Sequence, residues 1–150
     1  MMKFPILLNI FSRKSSTNPI PENVKDVYDE ETYEPNGKYY LYFKYEESQT
    51  IAYVTSESLT GPYENKPVTV SLAKTGVEGS EIYNITGTDQ WVMIMDEYST
   101  DRFFMQQTTD FENFLPVNPD DYSMDFNPRH GAITQITDEQ YEALIKHFGK

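Results

Sequence analysis

The sequence predicts an all-β fold, a partial β-propeller of about two to three four-stranded antiparallel blades followed by one C-terminal α-helix. Three observations carry this expectation. Aromatic residues make up 15% of the 150 residues, and flat rings favour pleated, half-buried strands. A strand, polar turn, second strand and Pro-stopped loop occur twice. Tyr39 falls opposite Trp91 and Thr55-Ser56-Glu57 opposite Thr108-Thr109-Asp110, an offset of 52 to 53 residues, the length of one propeller blade. The C-terminal residues switch to a helical period.

In chain order, Phe4 to Phe11 is an apolar run broken by Pro5 and Asn9, followed by Arg13 and Lys14. It lacks a small-x-small cleavage site, so it reads as a strand or terminal arm and the chain as cytoplasmic, with export as the alternative. Ser15 to Pro21 is a linker with two prolines. Residues 1–21 are therefore arm and linker, 22–136 blades and 137–148 the helix of one domain. The acidic stretch Glu22 to Glu34 reads as a solvated loop or edge. Asn36-Gly37 is a hairpin turn, since both residues tolerate positive φ. Two strands follow, Lys38–Tyr45 and Thr50–Ser56, the second ending in a loop stopped by Gly61-Pro62. The second copy contributes strands at Gln90–Glu97 and Phe103–Thr109, and a further strand is expected at Ala132–Ile136. Thr137 with Gln140 forms a capping box. Tyr141, Leu144, Ile145 and Phe148 then line one face of the helix, which is expected to pack on the sheet layer.

Composition narrows the function. There are 24 acidic and 12 basic residues, a net charge of −12. That disfavours nucleic acid and anionic membrane surfaces and is compatible with neutral ligands such as sugars or with bound cations. No run reaches the ~18 apolar residues of a membrane-spanning helix. The absence of Cys removes thiolate metal sites, disulfides and Cys nucleophiles. His130 and His147 stand in unlike contexts far apart, poor ligands for a shared metal.

Between the two copies lies Gly76-Val77-Glu78-Gly79-Ser80-Glu81-Ile82. A carboxylate between two glycines sits where the backbone can turn sharply and another group can approach closely. Glu78 is therefore the first candidate for acid–base chemistry, against the plainer reading of a solvated loop carboxylate. Aromatic side chains such as Trp91 offer flat faces for sugar stacking, although strand packing accounts for most of them.

Five stretches together resemble glycoside hydrolase family 43: Gly37 to Lys44; Ala52 to Tyr63, ending Ser58-Leu59-Thr60-Gly61-Pro62-Tyr63; Val77-Glu78-Gly79; Trp91 to Tyr98, ending Asp96-Glu97-Tyr98; and Pro128-Arg129-His130-Gly131. Their order and spacing match the later part of that family's catalytic domain, from about Glu30 to the C-terminus. The resemblance implies a five-bladed propeller and inverting hydrolysis of arabinose- or xylose-containing glycosides, with three carboxylates at its centre. It makes Glu78 the general acid. With Thr32 in register, the carboxylate that tunes and orients falls on Glu30, or on Asp29 after a one-residue shift. Ser80 stands where the family usually has Pro, and the residues before the match hold no counterpart of the base motif. Arg129 and Trp91 are the implied substrate contacts. His130 is placed near the propeller axis beside a calcium ion, or alternatively satisfies a buried carbonyl; no other cofactor is required. Asp96 and Glu97 read as solvated. The alternative is a truncated, inactive propeller that binds carbohydrate or self-associates. Compatible with either reading is a homodimer that completes the ring, in which Asp29 or Asp26 would supply the base.

Overall fold

The computed structural model describes residues 27–33 (backbone), 37–70, 72, 74–100, 102–123, 131, 133 and 136–149. Among these residues, eight strands form two four-stranded antiparallel sheets of identical order. The first holds β1 (Val27–Tyr33), β2 (Tyr39–Tyr45), β3 (Thr50–Ser56) and β4 (Val68–Thr69). The second holds β5 (Glu78–Asn84), β6 (Trp91–Glu97), β7 (Arg102–Thr108) and β8 (Leu115–Pro116). β2 and β6 open 52 positions apart, at 39 and 91, and β3 and β7 likewise, at 50 and 102. Each first strand carries an irregularity at the same place, between Tyr28 and Glu31 in β1 and between Glu78 and Glu81 in β5. The sequence repeat is thus a repeat of blades, the architecture of a partial β-propeller.

The core lies between the blades. Strand alternation places Tyr40, Tyr42 and Lys44 of β2 on one face. There Tyr40 and Tyr42 join Ile51, Tyr53 and Val70 against Val77, Ile82, Met93, Met95, Phe111 and Phe114 of the second blade. The rings meet tilted, 5.4 Å apart for Tyr42 and Tyr53 and 5.5 Å for Tyr40 and Phe111. Buried phenols need partners, and these find theirs across the interface. Tyr42 Oη donates to the Phe111 carbonyl at 2.7 Å and Tyr40 Oη to Glu112 Oε1 at 3.3 Å. The opposite face of the first sheet buries Leu41, Phe43, Ala52, Val54 and Tyr63 as a second cluster. Each such large side chain stabilises the fold by roughly 1.5–3 kcal/mol on burial.

The loop that receives the tyrosines is built by local capping. Thr108 Oγ1 accepts from the amides of Asp110 and Phe111, at 3.2 and 3.0 Å. Asp110 Oδ1 accepts from the amides of Glu112 and Asn113, at 3.0 and 2.7 Å. These bonds hold Phe111 at φ 66°, a left-handed conformation that its burial between the blades offsets.

Of the two readings of the acidic stretch, loop or edge, the edge holds: β1 is the edge strand of its sheet, with the β2 ladder supplying its backbone partners. Three other expectations change. Glu78 begins strand β5 and does not lie in a glycine loop. Within the strand expected at 132–136, the described Ile133 and Ile136 are in no strand; the Ile133 amide instead donates to Glu81 Oε1 at 3.3 Å. The helix α1 (Asp138–Phe148) forms with its capping box but buries no residue. Among the described residues it touches no strand, so its apolar stripe is not a packing face there.

Candidate active site

The site is assembled where the two blades meet at the start of β5. Gly76 (φ +74°) turns the connection from β4, its amide donating to the Gln49 carbonyl at 2.9 Å. Gly79 (φ +56°) lies in the irregularity of β5, where a left-handed residue lets one strand carry extra length against its partner. Between these turns Glu78 is set at the end of the strand, and β5 leans against β1, β2 and β3 of the first blade.

Lys44 reaches it from that blade. Its Nζ lies 3.0 Å from Glu78 Oε2 and 3.0 Å from Glu46 Oε1. It also stands 4.8 Å from the centre of the Tyr98 ring, within cation–π range. The Lys44 side chain is 10% exposed and that of Glu78 20%. Burial works against the ammonium charge, but hydrogen bonds to Glu46 and Glu78 outweigh it and raise the Lys44 pKa. An ammonium at this distance favours the ionised form of a carboxylate.

Asp96 stands opposite Glu78 in the β5–β6 register and is 1% exposed, which overturns its reading as a solvated residue. Glu97 pairs with Lys74 at 2.9 Å. Ser80 is buried, and its hydroxyl has no hydrogen-bond partner among the described residues. An orphaned buried hydroxyl costs about 1–3 kcal/mol.

The other sequence candidates fall differently. Glu30 is in β1, inside the irregularity between Tyr28 and Glu31. The position of the first blade that matches Glu78 by register is Tyr28, which pairs with Lys44 as Glu78 pairs with Asp96. Trp91 is half-buried, its ring 4.9 Å from Phe111 at the margin of the interblade core. Arg129 and His130 lie outside the described residues. Among the described residues no group of three or more His, Asp or Glu is placed to hold a metal ion, and no helix is long and apolar enough to cross a membrane. Sequence reasoning passed over Lys44, whose one signal is a cation in phase with Tyr40 and Tyr42 on an otherwise aromatic face.

The profile of a family described as "Probable glycosyl hydrolase domain", related to glycoside hydrolase family 43, matches residues 11–142. The chain belongs to this family. No curated protein matches it. The match spans both blades, so the glycosyl hydrolase-related domain includes the cluster around Glu78.

Proposed function

We propose that this family-43-related domain acts on arabinose- or xylose-containing glycosides by inverting hydrolysis, with Glu78 as general acid. The supporting observation is the setting of Glu78: a partly buried carboxylate, at the head of a strand between two left-handed glycines, at the junction of two blades. In the reaction Glu78 passes its proton to the glycosidic oxygen as the bond from that oxygen to the anomeric carbon breaks. Water attacks that carbon from the opposite side and gives its proton to a base about 6.5–9.5 Å from the acid. Asp29 or Asp26, supplied by a second copy that closes the ring, is our reading for the base. Arg129, Trp91 and Glu30 are the proposed substrate-side groups. The calcium position rests on His130 alone, and no step here runs through a metal.

The test is hydrolysis of aryl arabinofuranosides and xylosides by the purified protein beside Glu78→Gln. The parent is expected to turn over both classes or one of them. The variant should lose about 10²–10⁴-fold on substrates with poor leaving groups and less on activated aryl glycosides. Absence of hydrolysis by well-folded parent protein sinks the hydrolase reading.

A second reading, sugar binding without hydrolysis, is favoured by the Lys44 contact, because an ionised Glu78 accepts hydrogen bonds from sugar hydroxyls and donates no proton. Saturable calorimetric binding of arabino- or xylo-oligosaccharides without turnover is its signature.

A further inference from the structure

Lys44 and Glu78 are 34 positions apart, on different blades, and the interblade packing brings them to 3.0 Å. Among the described residues, the neighbours of this pair include two acidic side chains and one aromatic ring. Glu46 follows β2, Asp96 lies opposite on β6 and Tyr98 caps the ammonium. Lys44 thus pairs with two carboxylates, Glu46 and Glu78, and it is itself buried. Its place is specific to the first blade: the matching position of the second blade, 52 residues on, is Asp96, as the pairings of 44 with 28 and of 96 with 78 define. A lysine and an aspartate at equivalent positions of neighbouring blades put opposite charges around one glutamate.

We infer that Lys44 is a positioning residue that holds Glu78 ionised and aimed along the blade junction, confining the proton-donating form of the site to acidic conditions. The inference rests on the reading of Glu78 as the reactive carboxylate. Its physical basis is distance and burial. At 3.0 Å in a site screened from solvent, an ammonium stabilises the carboxylate far more than a surface pair does. Glu46 shares the same ammonium at 3.0 Å, and the Lys44 contact to Glu78, also 3.0 Å, is the one that bridges the blades. Conversion of Glu78 to an acid then requires either a low pH or a ligand that draws the ammonium away from Glu78.

The test reads the carboxyl directly. Carbon-13 NMR of the Glu78 side chain, assigned by loss of its signal in Glu78→Gln, gives its titration midpoint. In the unaltered protein that midpoint is expected below the ordinary glutamate value of about 4.3. In Lys44→Met, which keeps the apolar stem, it should rise by about one pH unit or more, and Lys44→Arg should restore it. A merely structural lysine would move neither value. A midpoint at or above the ordinary value in the unaltered protein overturns the inference, and this reading needs no variant to fold. So does an equal midpoint in folded Lys44→Met. Because the titration requires no turnover, a shifted midpoint with no glycoside hydrolysis leaves this inference standing and removes the hydrolase reading. Hydrolysis with an unmoved midpoint does the reverse. Where hydrolysis occurs, the alkaline limb of kcat/KM should move upward in Lys44→Met together with the NMR midpoint.

Discussion

At the residue scale, the chain repeatedly uses short polar side chains to hold backbone in conformations that apolar burial then exploits. Asp110 is the sharpest case. A hydrogen bond from the Asn113 side chain, and then those from the Asn113 and Glu112 amides, hold its pKa down at about 2, well below the ordinary 3.8. A depressed folded value means the carboxylate contributes stability above pH 3.8, and that contribution is lost as the pH falls through about 2. Asp110 is exposed, so solvent screening keeps the effect small. Urea unfolding of Asp110→Asn at neutral pH should show a loss of about 1 kcal/mol, with the gap to the parent narrowing as the pH drops from 3.8 to 2. A gap independent of pH would falsify the charge-based account of this loop. Glu78 shows the opposite use of local chemistry: glycines at 76 and 79 free the backbone, and the side chain takes its setting from a partner on another blade.

At the element scale, strands and helix differ in what sustains them. β2 and β3 have every described residue buried or half-buried, so ladder and packing support each other. α1 has good ends: Thr137 accepts from Gln140, acidic residues open it and Lys146 and His147 close it. Yet Ile145 is 48% and Phe148 73% exposed. An 11-residue helix without tertiary burial is marginal in water. Amides of Leu144 and Ile145 are therefore expected to exchange at least about tenfold faster than those of Tyr42, Val54 and Met93. Thr137→Ala should weaken the helix by about 1 kcal/mol while the sheet transition stays where it is. Equal protection of helix and strands, measured by native-state hydrogen exchange, would contradict this division.

At the scale of the whole molecule, 24 acidic residues against 12 basic ones leave a net charge of −12 on a two-blade fold. Such a charge destabilises the compact state by self-repulsion. Among the described residues, three ion pairs, each involving Lys44 or Lys74, offset a fraction of it. The melting temperature is expected to rise by a few degrees as sodium chloride goes from low concentration to about 0.2 M, where the screening length falls below about 10 Å. A melting temperature that falls with added salt would mean that attractive pairs, not repulsion, dominate the surface.

The sequence alone determined what depends on near neighbours. The aromatic run from Tyr39 to Tyr45 set β2, the run Thr50 to Ser56 set β3, the 52-residue spacing set the blade repeat, and Thr137 with Gln140 set the start of the helix. Glu78 stood out because glycines flank it within the chain. The tertiary structure decided what depends on distant partners. β1 is a strand in an acidic stretch because β2 pairs with it. Asp96 is buried although two acidic residues in a row read as surface. The apolar helix stripe meets no strand among the described residues although its period reads as a packing face. Above all, Lys44 meets Glu78 only because Tyr40, Tyr42 and Tyr53 press the first blade onto the second. A charge's partner is set by through-space distance, and local sequence pattern carries no information about which residue thirty-odd positions away a folded interface will bring to 3.0 Å.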